Sequence, residues 1–122
     1  MSKWTRQKGP WFETQIQKYL AERWDDRIVR IRTAGANDPG DIANLRVSGQ
    51  KVAVECKNVV KLSLGPWVGE AQKERDNIGA IAGIVIHKRA GKGKPEDQYV
   101  TTTLGEFMRI LDLSQSEGSV PT

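Results

Sequence analysis

The stretch from Asp41 to Lys57 (DIANLRVSGQKVAVECK) constrains the fold most, because turn formers near its middle separate two segments of strand character. It reads as two strands joined by a tight turn at Ser48-Gly49-Gln50. In the second strand Val52, Val54 and Cys56 point one way, while Ala53, Glu55 and Lys57 point the other. Glu55 and Lys57 therefore stand side by side on one face, roughly 6–7 Å apart. A three-residue loop pairs Val47 with Lys51, Ala43 with Glu55 and Asp41 with Lys57. That register sets Asp41 on the face of Glu55 and diagonal to it. A slip of one residue sends Asp41 to the opposite face.

Two carboxylates and an ammonium on one face suit the binding of a divalent cation. Carboxylates about 5 Å apart repel by ~3 kcal/mol at an effective dielectric near 20 unless a cation lies between them. Mg²⁺ relieves that repulsion while keeping several waters. Lys57 could then orient or help deprotonate one of those waters for attack on a phosphodiester. Taken alone, Glu and Lys two apart on a strand are ordinarily a solvated face with a weak ion pair, and the triplet recurs by chance. The surroundings decide the matter.

The chain has 122 residues, which fits a single domain with a real core. Its charged fraction of 28% and hydrophobic fraction of 38% are those of a soluble globular protein. No apolar run approaches membrane-spanning length, and the N-terminus lacks the apolar core of a signal peptide. A lone cysteine forbids an intrachain disulfide and fits a reducing cytoplasm. With one His and one Cys, an all-protein zinc site and a serine–histidine triad have little support. The net charge of +4 favours a polyanionic partner.

Residues 1–9 form a short basic arm with Lys3, Arg6 and Lys8, placed to touch phosphates or simply solvated. Pro10 suits a first helical position, and a helix follows to about Trp24 with Phe12, Ile16, Tyr19, Leu20 and Trp24 at helical spacing. Glu13 falls inside that apolar stripe, where a carboxylate is costly unless it snorkels to water or joins a site on the neighbouring sheet. Arg27 to Thr33 reads as a strand with Ile28, Val29 and Ile31 inward, and Ala34 to Gly40 is dense in turn formers. After the hairpin, Pro66 opens a second helix to about Asn77. Its Trp67 and Ala71 face inward, and Glu70, Gln72, Lys73, Glu74 and Arg75 make it polar.

Ala80 to Ile86 is a near-continuous apolar run, a central strand buried on both faces and joined to the Glu55 strand by a parallel crossover. His87 to Asp97 is a flexible basic loop carrying Lys88, Arg89, Lys92 and Lys94. Gln98 to Thr102 is a strand. Thr103-Leu-Gly-Glu106 is a capping box for a last helix to about Leu113, and residues 114–122 read as a disordered tail. The order predicts an α/β domain over residues 1–113, a mixed five-stranded sheet flanked by helices. No glycine-rich phosphate cradle is present, so nucleotide cofactors have no support.

This pattern resembles the PD-(D/E)xK nuclease superfamily with its restriction-endonuclease-like core, and more closely archaeal-type Holliday junction resolvases and their phage-borne relatives. The residues that carry it are Lys8-Gly9-x-x-x-Glu13, Pro39-Gly40-Asp41 and Glu55-Cys56-Lys57, with Gln72 on the following helix. The resemblance covers roughly residues 8 to 88. It implies that Asp41 and Glu55 bind Mg²⁺ (with Mn²⁺ as a substitute), helped by the Cys56 backbone carbonyl. Glu13 completes the site from the helix, Lys57 positions or activates the water or stabilises developing charge, and Gln72 adds a polar group. Gly40 departs from the motif by separating Pro39 from Asp41, which makes Asp38 a rival ligand. The implied function is a metal-dependent, structure-selective DNA endonuclease in the cytoplasm, a homodimer placing paired symmetric nicks across a four-way junction. Trp67, Trp4 and Trp11 are candidates for its interface. Lys3, Arg6, Lys8, Lys88, Arg89, Lys92 and Lys94 are the generic DNA contacts. A restriction- or repair-type endonuclease of the same fold, and a DNA-binding protein that does not cut, are the alternatives.

Overall fold

The structure is a computed structural model that describes residues 3–32 and 37–118, with side chains from Lys8 onward as far as Leu113 and for Gln115. The element order is α1 (Lys3–Arg23), β1 (Val29–Arg30), β2 (Ile42–Ala43), β3 (Arg46–Val47), β4 (Gln50–Lys57), α2 (Leu64–Ile78), β5 (Ala82–His87), a 3₁₀ turn (Pro95–Asp97), β6 (Tyr99–Thr101) and α3 (Leu104–Gly118). It is an α/β fold around a mixed sheet of six strands in the order β1-β2-β4-β5-β6, with β3 paired to β4 off this path. The anticipated five strands gain a sixth because the first arm of the hairpin is broken into β2 and β3.

β4 and β5 are parallel, with Glu55 beside Val85 and Lys57 beside His87, as the apolar character of the second strand requires. Every residue of β5 is buried. Alternation along β4 divides the core into two layers. Val52, Val54 and Cys56 join Ile84 and Ile86 against Phe12 and Ile16 of α1. On the other face Val85 packs with Trp67 and Ala71 of α2. Trp67 is therefore core, as its inward place on the helix implies, which removes it from the interface candidates. Trp11 is exposed, and the side chain of Trp4 lies outside the described residues.

Several boundaries depart from expectation for local reasons. α1 begins at Lys3, so residues 3–9 are helical instead of an arm; Pro10 lies inside the helix, where it removes one backbone donor without breaking the path. The side chains of Lys3 and Arg6 lie outside the described residues. α2 starts at Leu64, which leaves Pro66 in the first turn where no amide donor is needed, and it ends on left-handed Gly79. α3 continues past Leu113 to Gly118, through residues whose composition suggests a tail. Val29 is half exposed because β1 is a two-residue strand at the sheet edge. Within the basic loop, Gln98 accepts a hydrogen bond from the Arg89 amide at 2.7 Å and donates to the carbonyls of Lys92 and Lys94. That side chain ties the loop into one shape.

The hairpin register differs twice, and the two differences cancel. Val47 pairs with Gln50 and Arg46 with Lys51, so the loop is the two residues Ser48 and Gly49, both at positive φ. Asn44, also at positive φ, then adds an extra residue to the first arm, and Ile42 pairs with Val54. Each change alone would invert the faces. Together they return Asp41 to the side of Glu55.

Candidate metal centre

Asp41 sits where β2 begins, at the edge of β4. Its amide donates to the Val54 carbonyl at 2.8 Å, and its Oδ2 accepts from the Cys56 amide at 2.8 Å. The side chain thus takes a ladder position, and the Cys56 carbonyl faces the same edge as its amide. Gly40 makes this approach feasible. Its φ is +102°, and a Cβ there would lie 2.8 Å from the Val54 carbonyl and 3.2 Å from Glu74 Oε1. The glycine that departs from the proline–aspartate motif is therefore required by the packing.

Around Asp41 five carboxylates form a chain. Glu13 reaches Asp41 from α1, with Arg30 Nε holding its other side at 3.0 Å. Glu55 meets both Asp41 and Glu74. Asp38, Glu55 and Glu74 can each place an oxygen within 4.8 Å of the others. Asp38 is fixed by the Gly40 amide on its Oδ1 at 2.9 Å and by Asn77 Nδ2 on its carbonyl at 2.8 Å. Of the expected metal ligands, Glu13, Asp41, Glu55 and the Cys56 backbone converge here. Asp38, the rival, lies in the tightest group.

Glu74 belongs by sequence to the polar face of α2, yet only 3% of it is exposed. Its signal was present in the spacing: Trp67, Ala71 and Glu74 stand at i, i+4 and i+7, one stripe of a helix. Gln72 is two residues from Glu74, about 200° around the helix, so it does not share that stripe. Glu70 instead takes part, accepting from Lys57 Nζ at 3.0 Å.

The electrostatics follow from packing acids together. Burial, then hydrogen bonding to Asp41 and Glu74, raises the Glu55 carboxyl far above its usual range. Burial likewise lifts Glu74 to about 7, and burial plus the Asp41 charge raises Glu13. Without a cation, Glu55 and Glu74 hold protons more tightly than free carboxylates do, as a coupled group. Burial pulls the Lys57 ammonium down, but Glu70, Glu55 and Asp41 together outweigh it and hold the group charged. The Cys56 thiol is buried and pushed up, so it is no nucleophile.

The residues fit a divalent cation on a specific observation: Glu74 Oε1 is buried with no hydrogen-bond partner. A buried carboxylate oxygen without a donor is expensive, and a hard cation answers it with the oxygen coordination it prefers. Asp38, Glu55 and Glu74, with Asp41 beside them, are the residues that would hold it.

Past the end of β4 a cleft of about 720 Å³ opens, and none of the five acids lines it. It gathers Lys8 and Trp11 of α1, His87 of β5, Lys88 and Arg89 after it, and Tyr99 of β6. Lys8, Lys88 and Arg89 thus meet in one place, whereas Lys92 and Lys94 are exposed outside its walls. Among the described residues, no helix is long and apolar enough to cross a membrane. No family model, curated protein or solved structure matches the chain.

Proposed function

We propose that the protein is a divalent-cation-dependent DNA endonuclease with a preference for four-way junctions. The observation that carries the reading is the convergence of Glu13, Asp38, Asp41, Glu55 and Glu74 beside Lys57, five acids from four segments with one buried oxygen unpaired. A bound Mg²⁺ or Mn²⁺ would supply Lewis acidity at a phosphate oxygen and a more acidic water.

The chain's own residues do the rest. Asp41 is oriented by the Cys56 amide and Glu13 by Arg30, so their oxygens are preorganised. Lys57 is kept as an ammonium, which suits it to hold a water by donating to it and to stabilise negative charge on the phosphate, instead of removing a proton. Lys8, Lys88 and Arg89 supply positive charge for the backbone of the substrate.

Nicking both paired strands of a junction calls for a second copy with twofold symmetry. The apolar stripe Leu104, Phe107, Met108 and Leu111 along α3 is exposed and suits such a contact better than buried Trp67.

The test is cleavage of a synthetic four-way junction and of linear duplex of the same sequence, with Mg²⁺ or Mn²⁺. Asp41→Asn, Glu55→Gln, Lys57→Ala and Glu74→Gln should each lower cutting by about 100-fold or more while junction binding persists. Gln72→Ala should cut within about threefold of the parent, since it lies off the acidic stripe. Normal cutting by all four site variants would remove the assignment. Equal cutting of duplex and junction would favour the restriction- or repair-type reading.

A further inference from the structure

We propose that the cleft past the end of β4 holds one unpaired nucleotide of the substrate strand, so that the preferred DNA carries an unstacked base close to the cut. This rests on the nuclease reading and narrows its substrate.

The chemistry of the walls selects the ligand. Lys8, Lys88 and Arg89 line the cleft together with the aliphatic Val59, Val60 and Leu62, and no carboxylate does among the described residues. Trp11 and Tyr99 each keep about half of their surface open, at 46% and 53% exposed. Cations combined with part-exposed aromatic rings, here Trp11 and the face of Tyr99 that Arg89 does not cover, are the recognition set for an unpaired nucleotide, whose phosphate takes the charge and whose base takes the ring. A base inside a duplex offers only its edges, so it cannot use these faces. The volume of about 720 Å³ lies within the ~300–1,000 Å³ of sites that enclose small ligands.

The cleft is also built before any ligand arrives. Arg89 lies over the Tyr99 ring at 4.6 Å, and His87 meets that ring at 5.7 Å in an edge-on geometry. His87 is itself pinned by Thr101 Oγ1 at 2.7 Å and packed against Trp67 at 5.5 Å. Asn58 Nδ2 donates to the Lys8 carbonyl at 3.1 Å, which fastens α1 to the end of β4.

Position ties the cleft to the cut. Its wall begins at Asn58, directly after Lys57 and three residues from Glu55, about 10 Å along the strand. A few nucleotides cover that distance at ~3.4 Å per stacked step. A second copy of the chain is the rival occupant, but twofold symmetry would bring the same cations against each other with no acid to meet them.

The test measures binding in EDTA, so that no cutting intervenes. Anisotropy of labelled oligonucleotides would compare a short single strand, a duplex of equal length, and a junction with one unpaired thymine at the branch. Trp11→Ala and Tyr99→Ala should each weaken single-strand and unpaired-thymine binding roughly tenfold, leaving duplex affinity within about twofold. Tyr99→Phe, which keeps the ring, should bind as the parent does. An abasic residue in place of the thymine should cost the parent the same factor and cost the alanine variants nothing further. Equal losses on duplex and single strand, or no effect of the abasic residue, would overturn the proposal. So would a Trp11→Ala variant that loses self-association but not oligonucleotide affinity. Because cutting is absent from the assay, this binding pattern in a protein that cleaves nothing would sink the nuclease reading alone. Cleavage without the pattern would sink the cleft alone.

Discussion

The carboxylate of Asp41 accepts a hydrogen bond from the amide of Cys56 at 2.8 Å, standing in for a strand that is missing at that edge of β4. The same bond fixes which oxygen is left over. Oδ2 is committed to the backbone, which leaves Oδ1 for the neighbouring acids, of which Glu13 alone has a cationic partner, Arg30. Packing five acids this closely has a thermodynamic consequence in the metal-free protein.

That consequence is a pH dependence with a definite sign. Glu55 and Glu74 bind protons more tightly folded than unfolded, because burial and neighbouring acids disfavour their charge. Their contribution to stability is full below the ordinary carboxylate value of 4.5. It is lost as pH rises, for Glu74 through about 7 and for Glu55 well beyond. A divalent cation displaces those protons, so its stabilising effect should grow with pH. Melting with and without Mn²⁺ should show a shift of roughly 5 °C or more near pH 8 and little near pH 5.5. Glu74→Gln should flatten that dependence. Equal shifts at both pH values would mean that the cluster does not hold the ion.

Much of this centre was legible in the chain because side-chain periodicity survives local errors. Glu55 and Lys57 had to share a face once β4 alternated, and Glu13 stood out as an acid within an apolar stripe. The face of Asp41 came out the same although the register did not. The two-residue loop at Ser48-Gly49 and the bulge at Asn44 each need a residue at positive φ, which only Gly49 advertises. Glu74 was hidden by its company: on a helix bearing Glu70, Lys73 and Arg75, one acid more reads as solvated surface. Its partners, Asp38 and Gly40, lie far away in sequence, and nothing local records that proximity.

Two glycines should be intolerant of a methyl group for different reasons. On Gly83 a Cβ would run into the Ala71 carbonyl, where α2 presses against β5. Gly83→Ala should therefore lose about 3 kcal/mol of stability, since neither backbone can yield cheaply. Gly40→Ala should lose about 1–3 kcal/mol through its positive φ and its contact with Val54. It should also weaken Mn²⁺ binding, because the methyl would press on Glu74 Oε1. Gly49→Ala, with open space around it, should cost only about 1 kcal/mol. Urea midpoints at unchanged slope give the ranking, and a Gly83→Ala protein as stable as Gly49→Ala would contradict the packing.

Glu106 shows how the sheet closes where β6 is too short. β6 pairs with β5 only from Val85 to His87, so the outward amide and carbonyl of Gly83 have no strand to meet. Both are satisfied by side chains. Glu106 Oε1 accepts from the Gly83 amide at 2.9 Å, and Thr102 Oγ1 donates to the Gly83 carbonyl at 2.7 Å. Arg75 of α2 pairs with Glu106 at 2.8 Å, so one buried carboxylate joins α2, β5 and α3. The Thr103–Glu106 capping box is realised only by half. Thr103 Oγ1 accepts from the Glu106 amide at 3.3 Å, while the Glu106 side chain turns inward. Glu106→Ala should lose about 2–3 kcal/mol, leaving the buried Gly83 amide without an acceptor while Arg75 keeps only Asp76. Glu106→Gln keeps an acceptor for Gly83 and should lose about 1–2 kcal/mol, close to the loss from Thr102→Val. If Glu106→Ala unfolds at the same urea concentration as the parent, the carboxylate is no keystone and the short edge of β6 is closed by something else.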